Sequence, residues 1–78
     1  MHSYYVEFIL SAPSAIGDTL SHVLIECGQN LEVIALPQSD SSREYNFKIQ
    51  LNTVDPTLVF DMCADYGKIK SVKVEEGT

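Results

Sequence analysis

The sequence predicts a single α+β domain whose elements follow the order β-α-β-β-α-β. Three observations predict it: short runs in which apolar and polar residues alternate, two longer runs in which apolar residues recur at helical spacing, and turn-forming residues between the runs. A chain of 78 residues with 45% hydrophobic content holds one modest core. We therefore expect one domain over residues 1–78.

The alternation of apolar and polar residues, together with the residues at the ends of these runs, predicts the first two strands. The first strand covers residues 3–11, and its better core face consists of the even positions Tyr4, Val6, Phe8 and Leu10. The second covers residues 31–36 and stops at Pro37, which cannot donate to a ladder. The polar segment 38–42 is short, so it predicts a hairpin to the next strand.

The third strand, residues 43–51, has the most regular alternation in the chain. Polar side chains at its even positions indicate an open face, and the inward set is Tyr45, Phe47, Ile49 and Leu51. The last strand contains Ile69, Val72 and Val74, and it precedes a polar tail. The third strand is therefore the best candidate for a strand with one face on the core.

The first helix is predicted to end at residues 27–28. Pro13 suits the first turn of a helix, and Ser11 or Ser14 could cap the free amides there. Gly28 provides a left-handed stop. An amphipathic stripe that faces the sheet is expected from Ile16, Leu20, Val23, Leu24 and Cys27.

The second helix has the clearer start signal. Asp55 is predicted to cap it, Pro56 fits the first helical position, and Gly67 ends it. Its apolar face is expected to consist of Val59, Met62, Cys63 and Tyr66. With right-handed crossovers, the whole order gives a four-stranded antiparallel sheet, order 4-1-3-2, with both helices on one face. This arrangement is the ferredoxin-like sandwich, with the first and third strands in the centre.

Charge is distributed unevenly along the chain. The formal net charge is −6, which argues against a nucleic-acid partner because such proteins cluster Lys and Arg. Residues 1–42 contain no Lys or Arg, and all five cations follow from Arg43 onward. The acidic half could meet a cationic ligand or the basic half of a second copy. It could equally be solvated charge that keeps a small domain soluble.

The cysteines and the apolar runs predict a cytoplasmic protein without a membrane partner. Cys27 and Cys63 lie in apolar contexts without metal-ligand or CxxC spacing, so we expect free buried thiols in a reducing compartment. The chain shows no basic-then-apolar leader, and its apolar runs are too short to span a membrane.

Two clusters of side chains offer weak signals for catalysis or nucleic-acid binding. Asp18, His22 and Glu26 are four residues apart, so on one helix they would stack as a metal or acid/base ladder, or form a solvated face. Residues 43–49 share some positions with the third-strand signature of RNA-recognition motifs but lack its glycines. No nucleophile stands beside an oriented base. We expect no enzyme activity, no metal and no cofactor.

The loop between the first strand and the first helix is the most suggestive stretch. It combines small residues, two hydroxyls and a helix N-terminus, whose free amides suit a carboxylate or a phosphate. It is also compatible with a plain strand-to-helix turn. The hydroxyls are those of Ser11 and Ser14.

Across nearly the whole chain the layout resembles the ACT and ACT-like family of small regulatory domains. The likeness lies in a first strand that ends in a small-residue loop, in a helix that closes with Glu26-Cys27-Gly28, and in the ending at residues 66–74. Members of that family bind amino acids or other small ligands in clefts of the first loop and first helix, usually at a dimer interface. The resemblance places ligand contacts at Pro13, Ser14, Gly17, Gly28, Gln29 and Asn30, and we add Ser11, whose hydroxyl lies in the same loop, to these candidate contacts.

These expectations combine into two functional hypotheses. The first is a non-enzymatic, ACT-like regulatory or ligand-binding module that forms a homodimer or higher homo-oligomer and takes a small ligand such as an amino acid. The second is a structural adaptor that binds proteins without any ligand. An RNA binder and a metal-dependent enzyme are less favoured.

Overall fold

The computed structural model describes residues 2–38 and 43–76, and its elements follow the predicted order. The predicted hairpin connector lies partly outside the described residues. The strands form one antiparallel sheet, so the prediction of an α+β domain with a four-stranded antiparallel sheet and two helices is confirmed. The elements are β1 (Tyr4–Ala12), α1 (Gly17–Leu24), β2 (Gln29–Ala35), β3 (Tyr45–Thr53), α2 (Pro56–Ala64) and β4 (Lys68–Glu76).

The strand order across the sheet is β2-β3-β1-β4, which reads 4-1-3-2 when counted from the β4 edge. The first and third strands therefore lie in the centre. Their register runs without a break from Tyr4 opposite Thr53 to Ala12 opposite Tyr45. We call the end of the sheet with Ala12 and Tyr45 the upper end, and the end with Tyr4 and Thr53 the lower end.

The core lies on one face of the sheet, and both helices contribute to it. Even residues of β1 oppose odd residues of β3, so their side chains share a face. Phe8 also packs edge to face against Phe60 of α2, with ring centroids 5.4 Å apart. The fully buried residues of this cluster include Val6, Phe8, Leu10, Leu20, Leu24, Ile49, Leu51, Val59 and Cys63. Tyr45 was expected to be inward, but it is 37% exposed because it begins β3 at the outer limit of the sheet.

We call the opposite side of the sheet the open face. Its side chains follow from strand alternation and from the registers of the three strand pairs. From the upper to the lower end, the rows are Asn46, Ser11 and Lys68; then Ile34, Lys48, Ile9 and Lys70; then Glu32, Gln50, Glu7 and Lys73; then Gln29, Asn52, Tyr5 and Glu75.

The start of α1 differs from the prediction. The helix begins at Gly17 rather than at Pro13, its N-cap residue is Ile16, and no side chain caps it among the described residues. Pro13 and Ser14 are instead exposed loop residues. Residues 13–16 connect β1 to the helix, and within them Ile16 packs against the core cluster.

The helices end before the glycines that were predicted to stop them, α1 at Leu24 and α2 at Ala64, and Gly28 is not the predicted left-handed residue, since no glycine among the described residues has a positive φ. A Cβ at Gly28 would overlap the carbonyl oxygen of Asn52, and one at Gly67 would overlap that of Ser11. Both glycines therefore allow a helix-to-strand turn to rest directly on the backbone of a central strand.

Both edge strands carry a bulge. The β2–β3 register shifts between Gln29 and Glu32, and the β1–β4 register shifts where β4 passes from Lys70 to Lys73. Each shift contains a left-handed residue, Asn30 with φ 57° and Ser71 with φ 56°. Bulges of this kind twist an edge and interrupt its row of free backbone groups.

Candidate functional site

The structure separates the predicted site residues into two groups at opposite ends of the sheet. Ser11, Pro13, Ser14 and Gly17 lie at or beyond the carboxyl end of β1, at the upper end. Gly28–Asn30 lie where β2 begins, beside the carboxyl end of β3, at the lower end. A nine-residue strand spans roughly 26 Å, so the two groups cannot line one small-molecule cleft.

An open cleft of about 560 Å³ lies at the lower end. It is formed by the residue before β1, the turn between α1 and β2, and the last residues of β3. Its volume falls in the range of about 300–1,000 Å³ that is typical of small-molecule sites. The lining residues are Ser3, Glu26, Cys27, Gly28, Gln29, Asn52, Thr53 and Val54.

Thr53 fixes the geometry of this cleft. Its side chain is buried, and its Oγ1 donates a hydrogen bond of 2.7 Å to the carbonyl oxygen of Cys27. The same hydroxyl accepts the N–H of Asp55 at 3.1 Å. One side chain thus connects the turn after α1 to the junction between β3 and α2. Together with the close contact of Gly28 on Asn52, it holds both walls of the cleft in place.

The electrostatics of the cleft favour a positively charged group. Among the described residues that line the cleft, Glu26 is the only one with a charged side chain, and the carboxyl end of α1, which carries partial negative charge, lies just before it. The amino end of α2 is also at this end of the sheet, but the Oδ1 of Asp55 already accepts the N–H of Leu58 at 3.2 Å. This cap therefore makes the amino end of α2 a weaker binding site for an anion.

The remaining lining groups supply neutral polar recognition. Gln29 and Asn52 are register partners, so their amide side chains lie next to each other at the cleft. Each amide both donates and accepts, and the Ser3 hydroxyl adds a third such group. Val54, which is 57% exposed, provides an apolar wall. The set suits a small polar molecule with an apolar part.

The Cys27 thiol lies in this cleft without the features of a nucleophile. Burial raises its pKa, and the nearby carboxylate of Glu26 raises it further. Its Sγ lies 3.3 Å from the Sδ of Met62 and directs its weak donor to the carbonyl of Val23 at 3.7 Å. Since the thiolate is the reactive form, a raised pKa leaves the thiol inert at neutral pH. Burial likewise raises the pKa of Cys63 to about 12, and both cysteines are free.

The upper end offers much less space. A depression of about 210 Å³ there is lined by the start of α1 and by β2 and β3 residues, including Gly17 and Phe47. Ser11 is buried and donates its hydroxyl to the carboxylate of Glu44. Pro13 and Ser14 are exposed and line neither this depression nor the lower cleft. Of the seven predicted contact residues, Gly28 and Gln29 line the cleft, and Asn30 follows them at the β2 bulge.

The predicted ladder of Asp18, His22 and Glu26 is wrong as a helix face. The helix ends at Leu24, so Glu26 belongs to the turn and faces the lower cleft instead. Within residues 2–38 and 43–76, no group of three His, Cys, Asp or Glu side chains is placed to hold a metal ion.

The predicted contact set missed six of the eight lining residues: Ser3, Asn52, Thr53 and Val54, and also Glu26 and Cys27, which the sequence had placed on faces of the first helix. A signal for Thr53 was present, because it lies at the junction just before the Asp55-Pro56 helix start, where a buried hydroxyl often satisfies free backbone groups. The contact between Gly28 and Asn52 depends on the pairing of β2 with β3 and has no local signal.

None of the protein-family models, curated proteins or solved structures compared with the chain matches it. The resemblance to ACT domains therefore remains a hypothesis that rests on the residues quoted for it. In the described part of the chain, no helix has the length and apolarity needed to cross a membrane.

Proposed function

We propose that this chain is a non-enzymatic, ACT-like regulatory module with a ferredoxin-like fold, which binds a small molecule carrying an amino group and self-associates. The lower cleft carries the proposal. It has the volume of a ligand site, a single charged side chain, Glu26, and two adjacent amides, Gln29 and Asn52. Amino acids and small amines are the ligand class that this chemistry fits.

Recognition would divide between the two walls of the cleft. A ligand ammonium group would meet the Glu26 carboxylate and the carboxyl end of α1, both of which favour positive charge. The Gln29 and Asn52 amides would hydrogen-bond a carboxylate or another polar group of the ligand. Because such a ligand would contact the turn after α1 and the end of β3 together, it would stabilise the folded protein by linkage.

Isothermal titration calorimetry and thermal shift with amino acids, with amines and with the matching acids that lack the amino group test this proposal. We expect binding only when the amino group is present, and a loss of about tenfold in affinity for Glu26→Gln, since a hydrogen bond to a charged group contributes about 1.5–3 kcal/mol. Asp61→Asn is the matched control, because Asp61 is an exposed acid on α2 outside the cleft.

Two results would contradict the proposal. One is the absence of binding and stabilisation with every amino compound. The other is equal affinity in wild type and in Glu26→Gln, which would show that the acid plays no part. Binding of the acids alone would move the ligand class to anions and would also remove the argument made from Glu26.

A structural adaptor without a ligand is the second candidate function, and exposed apolar side chains favour it. Val72 and Val74 of β4 are 51% and 44% exposed, and Leu58 of α2 is 47% exposed. An adaptor would use such residues for protein contacts. The two candidates differ in the calorimetric experiment, because the adaptor predicts no stabilisation by any small molecule.

A further inference from the structure

We infer that a second copy of this chain covers the open face, with the upper half of one sheet on the lower half of the other about a twofold axis. The inference rests on the self-association in the proposed function and names the surface that performs it. The open face shares Asn52, and Gln29 beside it, with the lower cleft, but that cleft is formed within one copy.

The open face carries opposite charges in its two halves. Every lysine of the chain lies on it, and three of them, Lys48, Lys68 and Lys70, are in the upper two rows. Its carboxylates in the lower two rows are Glu7, Glu32 and Glu75, with Lys73 among them. Glu44 adds one acid at the upper rim, where it accepts the Ser11 hydroxyl.

The helical side of the molecule differs sharply from the open face. Neither α1 nor α2 contains Lys or Arg, and the exposed charges there are acids such as Asp18, Asp61 and Asp65. Packing of a helical side on an open face would be heterologous and would not close after two copies. A pairing of two open faces is isologous, and it closes as a dimer.

A twofold axis that lies between the two sheets, perpendicular to the strands, inverts the order of the rows. The first row then meets the fourth, so Lys68 lies over Glu75 of the second copy, and each contact occurs twice. The second row meets the third, which brings Lys48 between Glu7 and Glu32 of the second copy. Charge complementarity of this kind favours one orientation over others. In this arrangement Lys70 lies over Lys73 of the second copy. Carboxylates of both copies flank this pair of like charges.

In the lower half, hydrogen bonds within one copy already hold Glu7 in position for such a contact. The Tyr5 hydroxyl and the Gln50 Nε2 both donate to Glu7 Oε1, at 2.9 and 3.1 Å, and Lys48 Nζ lies 3.9 Å from the same oxygen. The hydrogen bond from Tyr5, opposed by desolvation and aided by Lys48, holds the pKa of Glu7 below its usual value. Glu7 is thus a fixed, ionised centre of the face.

The apolar content and the size of the face also suit a second copy. Ile9 is half-buried and Ile34 is 43% exposed in the second row, and Tyr5 adds an aromatic ring in the fourth. Four strands about 4.8 Å apart and roughly 26 Å long give a plan area of roughly 500 Å². The accessible area of a pleated surface with long side chains is larger, which approaches the roughly 800 Å² per partner of a standard interface.

The edges of the sheet are poorer surfaces for self-association. Edge pairing requires a straight row of free backbone groups, and the bulges at Asn30 and Ser71 interrupt that row in β2 and in β4. An RNA partner is also disfavoured, because Phe47, one of the aromatics of the signature-like segment, is 3% exposed and belongs to the core.

A charge-exchange experiment on Lys68 and Glu75 tests the inference. Each of the variants Lys68→Glu and Glu75→Lys places like charges opposite each other in its own homodimer, so sedimentation equilibrium at low ionic strength should give a dimer Kd raised about tenfold. Mixing the two variants restores opposite charges at both symmetry-related contacts. The mixture should dimerise as wild type does. Asp61→Lys, on the helical side, is the matched control and should leave the Kd unchanged.

The outcomes separate this inference from the proposed function. If both single variants dimerise like wild type, or if the mixture fails to recover, the open-face twofold is overturned while self-association stands. If wild type is monomeric at every concentration, both the inference and the proposed self-association fall. Calorimetry on that monomer would still decide the ligand-binding part of the proposed function, because the lower cleft is formed within one copy.

Discussion

The two β-α-β halves of the chain repeat one plan and differ where each central strand passes into its helix. Each helix buries two residues four positions apart, Leu20 and Leu24 in α1, and Val59 and Cys63 in α2. Each edge strand has a bulge with a left-handed residue. The connections differ: residues 13–16 join β1 to α1, whereas only Val54 and Asp55 join β3 to α2.

The shorter connection is the better anchored one. Asp55 caps α2, and Thr53 bonds both to the cap residue and to the turn of the other half. At the corresponding end of β1, Ala12 has no side-chain donor, and α1 begins without a cap. The ligand-sized cleft lies at the anchored end, and the smaller depression lies at the other. Junction chemistry, rather than topology, thus distinguishes the two ends.

The largest expected effect tests what the halves have in common. In Gly28→Ala and in Gly67→Ala, the new Cβ would overlap a backbone carbonyl of the opposite half. That carbonyl belongs to a central strand, so it can move only if the strand moves. Each variant should lose about 3 kcal/mol of unfolding free energy, the upper part of the range for overpacking. Urea denaturation followed by circular dichroism measures this.

Gly17→Ala is the matched control for both glycine variants. A Cβ there would lie 3.3 Å from the Phe47 ring, and a side chain can yield where a backbone cannot. Alanine also favours the helix relative to glycine, so we expect a change of at most about 1 kcal/mol. Losses in Gly28→Ala or Gly67→Ala no larger than in the control would show that the two turns do not rest on the central strands.

Much of the fold could be predicted because its signals are local. The Asp55-Pro56 start of α2 and the alternation of Phe47, Ile49 and Leu51 are confirmed. The sequence places the start of α1 too early because a proline and two serines imitate a capped start, whereas Ile16, the residue before the helix, is positioned by its packing against the core cluster. The three-residue step from Ile69 to Val72 was a usable sign of the β4 bulge.

Less of the candidate site could be predicted, because its walls come from distant segments. Gly28 and Gln29 were in the predicted set, but their neighbours Asn52 and Thr53 join them only through the pairing of β2 and β3. Glu26 was assigned to a helix face because nothing local shows that α1 ends at Leu24. Strand register and helix length decide such a cleft, and both depend on tertiary contacts.

The second-largest expected effect tests the side-chain anchor at Thr53, which only the second half of the chain has. Thr53→Val keeps the shape of the side chain but leaves the Cys27 carbonyl and the Asp55 N–H without this partner. An unsatisfied buried group costs about 1–3 kcal/mol, so we expect a loss of about 2 kcal/mol of unfolding free energy. Thr53→Ser keeps the hydroxyl and should lose about 1 kcal/mol for the methyl group. Equal losses in the two variants would show that the Thr53 hydroxyl does not contribute to stability.

The smallest effect tests the difference between the two helix starts. Asp55→Ala removes the acceptor of the Leu58 N–H and should cost about 1 kcal/mol in urea denaturation. Asp18→Ala removes an acid from the first turn of α1 that only complements the helix dipole, so it should cost about 0.5 kcal/mol or less. If the two losses were equal, the capped and uncapped starts would be energetically alike. The stronger anchoring of the lower end would then come from Thr53 and Gly28 alone, because these residues join the halves across β3 independently of either helix start.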